Sequence, residues 1–188
     1  MTGLTIGIIG LVLTVLLCGI GSGLGLKATG KASAGVLAED PSKFSKVIVL
    51  SLLPATQGIY GFLIAILGAS NLPTPANAAG ATYAQITAQG WNVFWACLPM
   101  MLGGAVSAYL QGRTAASTII AVGKKGEIAS KSIIFPAMIE FYALLGLVVS
   151  IMMFGNIPVE DITKTVTAPE VPQAVEGALH VVSAFLGA

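Results

Sequence analysis

Hydrophobic side chains are gathered into four long runs that are separated by more polar stretches. The runs cover about residues 4–26, 47–69, 92–111 and 132–154. Each comes close to the roughly 20 apolar residues that a helix needs to cross the hydrocarbon core of a bilayer. The pattern therefore predicts an all-α protein with four transmembrane helices.

The polar stretches after the first and third runs read as hairpin turns. Residues 26–46 are predicted to form a turn marked by Asp40 and Pro41, and residues 112–131 to turn near 123–126. Each half of the chain then has the same order of helix, turn and helix.

Basic residues set the predicted orientation. All but Lys164 of the lysines and arginines fall in or beside the two turns, namely Lys27, Lys31, Lys43, Lys46, Arg113, Lys124, Lys125 and Lys131. By the positive-inside rule both turns are cytoplasmic. The uncharged connection 70–90 and both termini then face the outer side, where Trp91 and Trp95 suit an interfacial aromatic belt.

Composition supports an integral membrane protein in contact with lipid. Of the 188 residues 55% are hydrophobic and 9% charged, and the mean hydropathy is +0.90. Soluble domains carry about a quarter charged residues. A net charge of +1 gives no case for nucleic-acid binding. Cys18 and Cys97 lie in apolar runs and are interpreted as core residues, and His180 has no companions for a metal site.

The two halves match at a constant offset of 82 residues, the difference between 112 and 30. The matched pairs include Gly21 and Gly103, Gly30 and Gly112, Lys43 and Lys125, Pro54 and Pro136, and Tyr60 and Tyr142. A gapless parallel repeat indicates tandem duplication of a helical hairpin and argues against an inverted-repeat transporter.

The repeat predicts the domain organisation. A first transmembrane hairpin covers 1–75, and a second covers 76–155. A tail at 156–188 lies outside the membrane core. Its last segment, 174–188, is predicted to be a surface or interfacial helix, and disorder is the alternative.

Glu140 is the candidate functional residue, because it lies near the middle of the fourth run. A charged side chain there costs about 2.5–3.5 kcal/mol on insertion scales, and such residues are functional by default. Its repeat counterpart is Gly58, so the duplicated unit has one membrane carboxylate.

Polar groups on other helices are candidate partners for Glu140. They are Thr56, Gln57, Tyr60 and Gln111. Pro54 also removes a helical N–H and frees the carbonyl of Leu50. An all-oxygen set of this kind suits a hard cation. The alternative is that these groups only hydrogen-bond between helices. Small residues crowd the first and third helices, which suits the packed inner layer of a ring.

Three segments resemble the rotor-ring proteolipid of V/A-type rotary ATPases, which is known as K or c. They are LLPATQGIYGF (52–62), AYLQGRTAAS (108–117) and FPAMIEFYALLGLVVS (135–150), and the resemblance covers about residues 4–154. It implies a homo-oligomeric ring with the first and third helices inside. It also implies a stator membrane subunit of the a/I type with an essential arginine, and a central-stalk subunit that contacts the cytoplasmic turns. ATP chemistry would occur on other subunits.

In sodium-transporting members of this family the matching positions hold the ion. The resemblance assigns Na⁺ to the carbonyl of Leu53 and to Thr56, Gln57, Gln111 and Glu140, with Tyr60 hydrogen-bonded to the carboxylate. Two carbonyls are therefore candidates, that of Leu53 from the resemblance and that of Leu50 from the position of Pro54. Phe141 departs from the family, because close sodium members tend to have Thr after the glutamate.

The sequence therefore predicts a rotor subunit that carries Na⁺ on Glu140. Thr56, Gln57 and Gln111 favour Na⁺ over H⁺, because a proton site needs little besides the carboxyl group. A proton-carrying ring is the first alternative. A stand-alone four-helix channel and a structural proteolipid without transport are the others.

Overall fold

The computed structural model describes residues 2–75 and 77–158, and every regular element in this part of the chain is helical. Four helical segments are long and apolar enough to cross a membrane: Thr2–Glu39, Pro41–Ala69, Tyr83–Lys124 and Gly126–Gly155. The predicted all-α fold with four transmembrane segments is confirmed. The tail helix at 174–188 and His180 lie outside the described residues.

Two of the segments are single long helices, α1 (Thr2–Glu39) and α4 (Tyr83–Lys124). At about 1.5 Å per residue their 38 and 42 residues span roughly 57 and 63 Å, twice the hydrocarbon core. The helix bounds predicted from the apolar runs were therefore too short. Hydrophobicity marks the part of a helix that fits in lipid, whereas the backbone hydrogen bonds continue through the polar residues up to the turns.

The turns themselves are short. In the first turn Asp40 follows the end of α1 and caps the start of a 3₁₀ turn at Pro41–Lys43. Its Oδ1 accepts a hydrogen bond from the backbone N–H of Ser42 at 3.1 Å. The Ser42 hydroxyl and the Lys43 ammonium hold the pKa of the Asp40 carboxyl below its usual value. The second turn lies at Lys125 and a 3₁₀ turn at Gly126–Ile128. Both positions were predicted.

The middle connection is shorter than predicted, because α4 begins at Tyr83. Thr82 and Gln85 form a capping box, in which each side chain bonds the backbone N–H of the other. Residues 83–90 are therefore helix and not loop.

The other two segments are interrupted. The second consists of α2 (Phe44–Leu52), a 3₁₀ turn at Leu53–Ala55 and α3 (Thr56–Ala69). The fourth consists of α5 (Ala129–Ser132) and α6 (Ile134–Gly155). A proline, Pro54 or Pro136, lies at or just after each interruption and cannot donate a backbone hydrogen bond.

The helices form two layers. α1 and α4 pack along their length, while α3 lies against both of them and α6 lies against α4. Small residues allow the close approach. A Cβ atom placed on Gly25 would lie 2.7 Å from both the carbonyl oxygen of Ala108 and Cβ of Pro54. The hairpins predicted at 1–75 and 76–155 thus pack against each other as well as within themselves.

Cys18 and Cys97 are free and fully buried in an apolar cluster with Ile64 and Met100. Towards the two turns a second cluster contains Val36, Val47, Leu50, Ile119 and Val122. Glu140 lies between these two clusters along α6, where α3, α4 and α6 meet.

Candidate ion-binding site

Glu140 lies in the second turn of α6, and its side chain is partly buried. Both carboxylate oxygens have a donor on another helix. The Tyr60 hydroxyl donates to Oε1 at 3.1 Å, and Nε2 of Gln111 donates to Oε2 at 3.4 Å. The carboxylate is therefore oriented by one group from each half of the repeat.

Two amide side chains form the buried part of the site. Gln57 and Gln111 are both fully buried, and Nε2 of Gln57 donates to Oε1 of Gln111 at 2.6 Å. Nε2 of Gln111 also donates to the carbonyl of Pro136 at 3.1 Å. Buried amides need such partners, because an unpaired polar group costs free energy in an apolar environment.

Thr56 connects the amides to the helix interruption. Its hydroxyl lies 3.0 Å from the carbonyl oxygen of Leu53, to which it donates, and 3.3 Å from Oε1 of Gln57. The backbone N–H of Thr56 also donates to the Leu53 carbonyl, which closes the 3₁₀ turn. The Leu53 carbonyl therefore lies beside the Thr56 hydroxyl at the start of α3.

The groups in this network include oxygen atoms of the type that hard cations prefer as ligands. They are a carboxylate, two amide oxygens, a hydroxyl and a backbone carbonyl. This is the ligand type of hard cations, whereas the soft and imidazole ligands typical of zinc or copper are absent from these contacts.

The structure brings all six sequence-predicted residues into one network. Tyr60, Glu140, Gln111, Gln57, Thr56 and Leu53 follow one another through successive hydrogen bonds. Their role as ion ligands stays a prediction. The hydrogen-bond alternative describes the same contacts without a cation.

Sequence reasoning missed two backbone partners. The Pro136 carbonyl accepts from Gln111, and the Ser51 carbonyl accepts from Thr29 at 2.9 Å. The repeat was the available signal, because Pro136 is the counterpart of Pro54 and Thr29 is the counterpart of Gln111.

The repeat counterpart of Glu140 in the first half is Gly58, so the equivalent position there has no carboxylate. A Cβ atom on Gly58 would lie 3.1 Å from the Ser22 hydroxyl, which is buried without a hydrogen-bond partner among the described residues. The counterparts of Thr56 and Gln57 are Met138 and Ile139, whose side chains offer no oxygen to a cation. The two halves of the repeat thus present one polar site within the part of the chain that the structure describes.

The chain matches the family described as the C subunit of ATP synthase twice, over residues 5–68 and 94–153. These two matches correspond to the two halves of the repeat.

Three characterised proteins are similar to the chain over most of its length. The V-type sodium ATPase subunit K of Enterococcus hirae is 38% identical over 154 residues, which are 82% of this chain and 93% of that protein. The A-type ATP synthase subunit K of Methanocaldococcus jannaschii is 38% identical over 82% of this chain and 64% of its own length. The c'' subunit of the V-type proton ATPase of Saccharomyces cerevisiae is 26% identical over 79% of this chain and 69% of its own length.

The repeat, the four helices that could span a membrane and these similarities all indicate the same family. The chain belongs to the ATP synthase C-subunit family and is a non-catalytic rotor-ring proteolipid of a V/A-type ATPase.

Proposed function

We propose that this rotor protein carries Na⁺ on Glu140, coupled to rotation of the ring. The observation that carries the proposal is the buried network of Gln57, Gln111 and Glu140, with Thr56 and the Leu53 carbonyl beside it. The similarity to a subunit of a sodium ATPase supports the same ion.

Neutralisation of Glu140 is the physical basis of the proposed cycle. An ionised carboxylate facing lipid is costly, and a bound Na⁺ removes its net charge. The occupied site then moves past lipid at lower cost. An arginine on the stator membrane subunit would release the ion by offering the carboxylate a second positive partner.

The basic turns give the proposed arrangement in the membrane. Lys43 and Lys125 lie at the ends of the two hairpins. By the positive-inside rule these ends face the cytoplasm and the central stalk, and the connection between α3 and α4 faces the outer side.

One observation favours H⁺ as the second candidate. Nε2 of Gln57 donates to Oε1 of Gln111, so the two amides satisfy each other without a cation. Glu140 with a proton and the Tyr60 hydroxyl would then suffice. One of the three relatives is a subunit of a proton ATPase.

Carbodiimide labelling of Glu140 in the purified ring distinguishes the two ions. Carbodiimides modify a protonated carboxyl group, and a bound Na⁺ should keep Glu140 ionised and unreactive. We expect Na⁺ to suppress labelling at fixed pH, while K⁺ at the same ionic strength does not. Labelling that follows pH and ignores Na⁺ would instead identify a proton site.

Glu140→Gln is the control variant. It should assemble into the ring, take no label and lose coupled ion transport. Full transport by this variant would exclude Glu140 as the ion carrier.

A further inference from the structure

Thr29 lies on α1, outside the network described above, and its side chain is fully buried. Its hydroxyl donates to the carbonyl of Ser51 at 2.9 Å and also lies 3.1 Å from the carbonyl of its own helix at Leu26. Ser51 is in the last turn of α2, two residues before Leu53. Thr29 is thus a side-chain link from the long helix α1 to the backbone that leads into the ion site.

This link falls where the interrupted helix is weakest. Pro54 cannot donate a backbone hydrogen bond, and the chain between α2 and α3 forms a 3₁₀ turn in place of α-helix. The position of the Leu53 carbonyl and of the Thr56 hydroxyl depends on the geometry of this turn. A donor from another helix fixes the carbonyls at such an interruption.

The repeat has a hydrogen-bond donor to the backbone of the interrupted segment at the position of Thr29 in both halves. Thr29 is the counterpart of Gln111, and Gln111 donates to the carbonyl of Pro136, beside the interruption of the fourth segment. In both halves the long helix therefore holds the backbone of the interrupted helix from the same position. The longer glutamine also reaches Glu140, whereas the shorter threonine ends at the backbone.

Two neighbouring positions on α1 also contact this region of the chain. Gly25, one turn before Thr29, lies directly against Pro54, and Ser33, one turn after it, hydrogen-bonds the hydroxyl of Ser51. Of these three positions, Thr29 alone donates to a backbone carbonyl of the interrupted segment.

We propose that Thr29 is a positioning residue that raises the affinity for Na⁺ by fixing the turn that presents Leu53 and Thr56. This inference rests on the proposed function of Glu140. Thr29 has no hydrogen bond to Glu140 or to its donors Tyr60 and Gln111. The loss of its hydroxyl should therefore act first on the turn that carries the Na⁺ ligands of the first half, and change the protonation of the carboxylate little.

The test compares Thr29→Val, which keeps the shape and loses the hydroxyl, with Thr29→Ser, which keeps the hydroxyl. The readouts are the Na⁺ concentration that halves carbodiimide labelling of Glu140, and the pH dependence of labelling without Na⁺. For the loss of one hydrogen bond we expect Thr29→Val to raise the half-protecting Na⁺ concentration about 3- to 10-fold. Thr29→Ser should stay within about 2-fold of the unmodified ring, because the hydrogen bond remains.

Ser33→Ala is the matched control, because it removes a contact to the Ser51 side chain and leaves the carbonyl contact. In this variant Na⁺ should protect Glu140 from labelling at the same concentration as in the unmodified ring. The pH dependence without Na⁺ should be the same in all these variants. If Thr29 had a purely structural role, Thr29→Val would change the pH dependence of labelling together with the Na⁺ protection. That result would overturn the proposal.

Other outcomes are also decisive. Unchanged Na⁺ protection in Thr29→Val, or an equal loss in Ser33→Ala, would contradict a role for the carbonyl contact. If the unmodified ring itself ignores Na⁺, the proposed ion is wrong, and the inference about Thr29 falls with it. Should Thr29→Val not assemble, Thr29→Ala and Thr29→Ser provide the same comparison, since they differ only by the hydroxyl.

Discussion

At Glu140, donors from both halves of the duplicated chain meet one carboxylate. Tyr60 comes from the first half and Gln111 from the second. The polar residues of this network could be predicted from the sequence, because a hydroxyl or amide in an apolar helix needs a partner. The backbone partners were not predicted, because the repeat pairs Thr29 with Gln111 but does not say which carbonyl each interrupted helix presents to them. Thr29 was missed for that reason.

The Tyr60 hydroxyl should stabilise the ionised, cation-bound form of Glu140, since it donates to the carboxylate. In Tyr60→Phe we expect labelling in the absence of Na⁺ to be faster at fixed pH. The Na⁺ concentration needed for half protection should rise about 2- to 10-fold, as for one lost hydrogen bond. Both quantities come from the same carbodiimide assay.

Tyr142→Phe is the matched control, because Tyr142 is the repeat counterpart of Tyr60 and is 69% exposed, with no hydrogen bond from its hydroxyl to the described residues. It should leave both quantities unchanged. Equal effects in the two variants would mean that the hydroxyl of Tyr60 has no specific role at Glu140.

Among the helices, the apolar runs predicted the number of transmembrane segments and the places of both turns. They did not predict the ends of α1 and α4, because those ends lie in polar sequence that remains helical. Nor did the runs predict how closely these helices pack. α4 continues through Pro99, where the Ser150 hydroxyl accepts from the backbone N–H of Met100 at 3.1 Å.

Close packing of α1 on α4 should make Gly25 intolerant of even one added carbon. A Cβ atom there would lie 2.7 Å from the Ala108 carbonyl and from Pro54. We expect Gly25→Ala to destabilise the protein by about 1–3 kcal/mol, as overpacking does. The thermal unfolding midpoint in detergent measures this loss.

Gly35→Ala on the same helix provides the comparison. A Cβ atom at Gly35 meets nothing within 4 Å. This change should be neutral or stabilising by up to about 1 kcal/mol, because alanine favours helix. A similar loss in both variants would show that the effect of Gly25→Ala is not a matter of packing.

Across the whole molecule, the two hairpins are joined at their turns by Lys43. Its Nζ donates to the carbonyl of Gly123 at 2.7 Å and pairs with Asp40 at 3.1 Å. The parallel repeat predicted that the two turns lie at the same end. It did not predict this contact, because the counterpart Lys125 has no equivalent bond to the described residues.

Lys43→Met should loosen the end of α4, because the Gly123 carbonyl loses its side-chain donor. The hydrogen bond from Lys43 to the Gly123 carbonyl is partly exposed, so we expect its loss to cost about 1 kcal/mol or less. This corresponds to amide hydrogen exchange up to about 5-fold faster at residues 124–128, measured by mass spectrometry. Lys125→Met should leave the exchange of the first turn, 40–43, unchanged. If Lys43→Met leaves exchange at 124–128 unaltered, the contact does not hold the hairpins together.

The contrast between continuous and interrupted helices has a mechanical consequence for a rotating ring. α1 and α4 are rods that run from the turns to the far side of the membrane, while α2–α3 and α5–α6 are jointed near Pro54 and Pro136. On the proposed function, a twisting load applied at the turns would be carried mainly by these two continuous rods. On the proposed function, small movements at the joints would accommodate an entering ion within the limits that Thr29 sets. Stiffness for transmission and compliance for exchange would then reside in different helices of one protomer.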